Sequence, residues 1–170
     1  MAVTTVVYSA NTAITIDLSG LASSSSFIAG RESTQIDNTT DKYIDAIVQG
    51  KFTVGTTPAT TGGLMVYVWG SHTSLATTAL DVLDGVDSAE SFTATSLGAT
   101  VRQAMFTPVL VNTSNTEYSS KPFSVASALG LPCLPKFWGI YVSQNTGVAL
   151  RTDAANTNSF TFNGIKYDIT

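Results

Sequence analysis

Apolar residues recur along this chain in short alternating runs, and nowhere do they hold a helical spacing over several turns. Residues 13–18 (AITIDL) alternate apolar and polar side chains, the period that puts neighbours on opposite faces of a pleated strand. Residues 21–26 (LASSSS) read as a flexible joint, followed by an extended segment over 27–37. In 43–54 (YIDAIVQGKFTV), Ile44, Ala46 and Val48 oppose Asp45, Ile47 and Gln49, and Gly50 reads as a bulge that shifts the phase. Residues 55–63 (GTTPATTGG) form a loop by composition. Residues 64–69 (LMVYVW) are apolar on both faces, which predicts a central strand. The pattern weakens over 73–91, where 77–83 reads as a short helical turn. Residues 92–95 and 104–112 look extended, with Pro108 confining the second to an edge or a bulge. Residues 123–129 fit strand and helix equally, and 137–143 (FWGIYVS) give another strong strand. Near the C-terminus, Asn163-Gly164 between alternating runs predicts a type I′ hairpin, because both residues accept positive φ.

About eight to ten short strands without a 3.6-residue period indicate an all-β fold, an antiparallel β-sandwich of jelly-roll-like kind. There is no internal repeat and no break in composition, so residues 13–170 read as one domain. Residues 1–12 are polar and β-prone, and read as an extended arm able to add a strand to a neighbour.

Composition narrows the function. Charged residues are 12% of the chain, against about 25% in average soluble proteins. Thr and Ser fill the gap, so hydroxyls solvate much of the surface. Mean hydropathy is nevertheless positive, at +0.21, which points to surface covered by a partner. The net charge is −4 and no basic run occurs, so a phosphate-neutralising surface for nucleic acid is not expected. No apolar stretch approaches the ~20 residues of a helical membrane span. The start, MAVTTVVYSAN, lacks the positive charge and apolar core of a secretory signal, and implies synthesis in the cytoplasm. The sequons at Asn38 and Asn112 carry no weight in that setting. One cysteine excludes an intrachain disulfide framework.

Candidate chemistry is sparse. His72 is the sole histidine, and its place after the 64–69 strand favours an idle loop position over a catalytic base. Cys133, inside Leu131-Pro132-Cys133-Leu134-Pro135, reads as a buried thiol behaving as a small hydrophobe. The acidic stretch 81–90 (DVLDGVDSAE) offers oxygens to a hard cation, but it lacks the EF-hand spacing, and Asp and Gly are ordinary turn residues. Glu32, Asp37, Asp41 and Asp45 could flank a glycosidic bond, yet a solvated loop pairing Glu32 or Asp45 with Arg31 or Lys42 accounts for them better. Tyr67 and Trp69 share a face of one strand, while Trp138 and Tyr141 lie on opposite faces of another. These aromatics suit a sugar-stacking platform or, more simply, the core. The expectation is a protein that is not an enzyme, with no catalytic residue, bound metal or cofactor.

Four blocks point further: 29–38 (AGRESTQIDN), 43–56 (YIDAIVQGKFTVGT), 81–90 and 136–150 (KFWGIYVSQNTGVAL). They resemble a family of small structural (virion) proteins of tailed bacteriophages. The resemblance implies a component of the virion, made in the host cytoplasm and present in many copies without a cofactor. The expected role is a capsid decoration, or cement, protein that binds and stabilises the shell of major capsid protein. Homo-oligomers follow from such a role, and trimers suit three-fold positions of a shell. The competing expectation is a tail or baseplate module that recognises host-surface glycans.

Overall fold

The computed structural model describes residues 4–152 and 158–169, so residues 1–3 of the expected arm lie outside it. The first half of the chain supplies β1 (Thr4–Tyr8), β2 (Thr12–Ile14), β3 (Ala29–Glu32), β4 (Ile36–Asp37), β5 (Asp45–Thr53) and β6 (Gly63–Ser71). There follow β7 (Ala89–Ser91), α1 (Ala94–Thr100), β8 (Arg102–Pro108), β9 (Glu117–Ser119) and β10 (Phe123–Ser124). The chain ends with α2 (Val125–Leu129), β11 (Phe137–Gln144) and β12 (Ser159–Ile169). The fold is all-β, two antiparallel sheets packed face to face. One sheet has the order β1-β12-β5-β10, with β2 also on β12 and β9 also on β5. The other has the order β7-β3-β11-β6-β8, with β4 also on β11.

Alternation along the central strands explains the packing. Leu64, Val66 and Val68 of β6 and Trp138, Ile140 and Val142 of β11 point between the sheets, against Val48, Phe52, Phe160 and Phe162. The opposite faces of the same strands are also buried. Tyr67, Trp69 and Tyr141 point outward into a second cluster with Leu75, Leu83, Phe92, Leu97 and Val101. The excursion between β6 and β8 therefore covers the outer face of the second sheet. Each large apolar side chain buried there contributes ~1.5–3 kcal/mol. Two-sided burial is the reason β6 and β11 read as continuous apolar runs.

Local readings changed where tertiary pairing competed with them. Asn163-Gly164 is no hairpin: β12 runs straight through it, pairing with β5 from Ser159 to Ile165 and with β1 from Ile165 to Ile169. Ser9 N–H donates to Gly164 O at 2.8 Å, and Asn163 Nδ2 donates to Ser9 O at 3.0 Å. Gly164 is needed for close approach instead of a turn, since a Cβ there would sit 2.5 Å from the Tyr43 ring. Gly50 likewise makes no bulge. It keeps register opposite Phe160, whose ring lies over it, and the irregularity falls between Val66 and Tyr67 where β6 meets β8. Residues 92–95 turn into α1, because Thr93 Oγ1 accepts the Ser96 N–H and Ser96 Oγ accepts the Thr93 N–H, a closed capping box. Residues 77–83 hold no helix and close on a reciprocal pair of backbone bonds between Leu80 and Leu83. The ambiguous 123–129 stretch is both elements, β10 and then α2 capped by Ser124. Thr4–Tyr8 of the expected arm pairs with β12 of its own chain.

Candidate functional site

Glu32 ends β3 with its side chain on the outer face of the second sheet, opposite Tyr141 in the register, and it is fully buried. Its carboxylate accepts the backbone N–H groups of Asp84 and Gly85, each at 3.0 Å. Burial pushes its pKa up from 4.5 to about 7; the two N–H donors act against the rise, and the charges of Asp84 and Glu90 add to it. Around Glu32, the 81–90 loop and the turn at Ser74–Leu75 are tied down by several groups. Arg31 Nε donates to Asp87, which also accepts the Asp17 N–H at 2.9 Å. Gln35 donates to Ser74 Oγ at 2.7 Å and accepts the Leu75 N–H at 2.9 Å. Ser88 Oγ donates to Glu90 at 2.7 Å.

Glu32, Asp84 and Glu90 each offer a carboxylate oxygen, and these atoms lie within 4.8 Å of one another. They are the described residues that could hold a divalent cation. The present bonds are those of a structural latch: both Glu32 oxygens face loop amides, and Asp84 Oδ1 accepts the Val86 N–H at 2.9 Å. Sequence reasoning placed Glu32 in a solvated loop with Asp37, Asp41 and Asp45, and that reading is overturned. Glu32 is buried, and Arg31 pairs with Asp87. Lys51 pairs with Glu117, at 3.0 Å. Asp45 accepts Ser124 Oγ at 2.6 Å and the Ala126 N–H at 3.0 Å, so it anchors α2. Asp37 stays exposed, its pKa lowered by the Thr39 hydroxyl and N–H. No local pattern could have flagged Glu32, because its burial depends on a loop some fifty residues away in sequence.

The other candidates separate cleanly. His72 is exposed in the loop after β6. Cys133 is exposed, contrary to expectation, because Leu134 and Pro135 take the inward positions of that turn. Trp69, Trp138, Tyr67 and Tyr141 are all buried, and the two indole N–H groups have no partner. They serve as core volume, so none of the four offers a face to a sugar.

What the surface does offer is apolar sheet edge. Val6, Tyr8 and Tyr167 are 54%, 67% and 60% exposed and lie together on the β1–β12 ribbon, where Val6 sits opposite Tyr167. A second patch continues β8, the edge of the other sheet, with Phe106, Leu110 and Val111 exposed beside a groove of about 390 Å³. Met105, Pro108 and Tyr118 line that groove, with Lys121 at its rim. No helix is long and apolar enough to cross a membrane. No family model, curated protein or solved structure matches this chain.

Proposed function

We propose that this chain is a non-enzymatic structural protein of a tailed-phage virion, a decoration protein that binds and stabilises the major capsid protein shell. One observation carries the reading: most of the exposed large apolar side chains gather at two sheet edges, β1–β12 and β8 with its continuation. Natural proteins blunt free edges with charge, proline or cover. Among the described residues β1 carries none of these; β8 carries Arg102 and Pro108, but the side chains of Leu110 and Val111 just beyond it are left exposed. Such edges gain most when a neighbour covers them, as subunits of a shell would. The low charge and the Ser/Thr-rich surface support the same role, since few ions need be desolvated on assembly. The resemblance of four sequence blocks to phage virion proteins supplies the class of partner. Both tryptophans are buried, so they give no support to the alternative of glycan recognition.

The deciding measurement is made on particles prepared with and without this protein. Added back to stripped particles, it raises the temperature at which they release DNA, and quantitative mass spectrometry counts it in hundreds of copies per virion. Equal release temperatures with and without it, or a copy number near a dozen, would overturn cementing.

A further inference from the structure

The open side of β1 is complementary to itself. Among the described residues β1 pairs with β12 alone, so its other side faces solvent. The N–H of Ser9 is directed to β12, and antiparallel strands alternate the direction of their backbone groups. Val7 and Thr5 therefore also bond inward, and Thr4, Val6 and Tyr8 present their N–H and C=O groups to the open side. No charged side chain occurs from Thr4 to Ile16, so β1 itself carries no ionic guard.

We propose that β1 pairs antiparallel with β1 of a second copy about a two-fold axis at Val6, joining two sheets into one. Three independent features select this register. With Val6 opposite Val6 of the partner subunit, Thr4 falls opposite the partner's Tyr8, and every outward backbone group of the strand is used. Centring on Thr5 or Val7 leaves part of the row unpaired. Charges agree. Lys166 lies beside Val7 and Asp168 beside Thr5 on β12. A two-fold at Val6 places Val7 opposite the partner's Thr5, so each row across the joint ends in one Lys166 and one Asp168. Centring on Val7 would align lysine with lysine, and centring on Thr5 would align aspartate with aspartate. The exposed apolar face agrees as well. Tyr167, Val6, and the same two residues of the partner subunit form one continuous row, flanked by Tyr8 from each side. A two-fold contact of this kind is isologous and closes on itself.

The pairing does not depend on the shell role, and it is tested on the purified chain alone. Sedimentation equilibrium over a concentration series should show a two-copy mass that dissociates on dilution. Val6→Lys and Val6→Glu should each raise the dissociation constant at least about tenfold, with an unchanged far-UV spectrum because Val6 is exposed. Mixing the two variants should restore the two-copy mass, since opposite charges then meet at the axis. Leu110→Lys, on the other edge, should leave the mass unchanged. A one-copy mass at every concentration overturns the proposal, whatever else β1 then binds. So does a three-copy mass, a two-copy mass indifferent to Val6→Lys, or a failure of the mixed variants to reassociate.

Discussion

Glu32 shows how much a single side chain can decide once it is buried. Its folded pKa, about 7, lies above the 4.5 of an ordinary glutamate, because the charged form has lost water. The neutral form is therefore the one the fold favours. The contribution is fully present below about pH 4.5 and is lost as pH rises through about 7. At about 1.4 kcal/mol per unit, the loss is at most ~3 kcal/mol. Denaturant melts from pH 5 to 8 should show wild-type stability falling with pH, and Glu32→Gln, which cannot ionise, should flatten that slope. Identical slopes in the two proteins would remove Glu32 as the cause. The variant should also be less stable at pH 5, because its amide nitrogen opposes one of the two loop N–H groups that the carboxyl accepts. The sequence around position 32 carries charge and hydroxyls on both sides, so nothing local separates this glutamate from an exposed one.

At the scale of elements, local signals succeeded where a strand is buried on both faces, and failed at the capped start of α1 and where two strands compete for one edge. The β6 and β11 runs were legible because every position of 64–69 and 137–143 is apolar or small. Asn163-Gly164 was misread because its turn chemistry is real, but a hairpin there would strand β1 and break the ladder to β5. The straight β12 pairs with β5 from Ser159 to Ile165 on one side, and with β2 and then β1 on the other. Gly164→Ala tests this account. A methyl group placed 2.5 Å from the Tyr43 ring should cost ~1–3 kcal/mol in a denaturant titration. Combining it with Tyr43→Ala should recover part of that loss beyond additivity. Strictly additive costs would argue that glycine is needed there for its backbone and not for the ring.

On the scale of the whole molecule, the unusual feature is a third layer. The chain between β6 and β8 is weakly patterned over residues 73–91, yet the whole stretch supplies Leu75, Leu83, Phe92, Leu97 and Val101 to the outer cluster. Leu83→Ala should cost ~2–5 kcal/mol, the range for a core leucine, although the residue stands in an irregular segment. A change within ~0.5 kcal/mol, usual for surface positions, would mean the layer packs loosely. Such a stabilised cover keeps one face of the sandwich closed.

By itself the sequence determined the class of the fold, since period-two alternation and two-sided apolar runs follow from strand geometry alone. It also determined the low charge, the absence of a basic stripe and the scarcity of catalytic residue types. Only the tertiary structure decided which carboxylate is buried, that Cys133 faces out, that the Asn-Gly pair lies inside a strand, and that Thr4–Tyr8 returns to its own sheet. Three of these depend on a partner distant in sequence: Gly85 for Glu32, Ser9 for Gly164, β12 for β1. Local propensity is worth tenths of a kcal/mol to about one per residue. A completed ladder or a buried ring outweighs it, so contacts across the fold overrule the local signal.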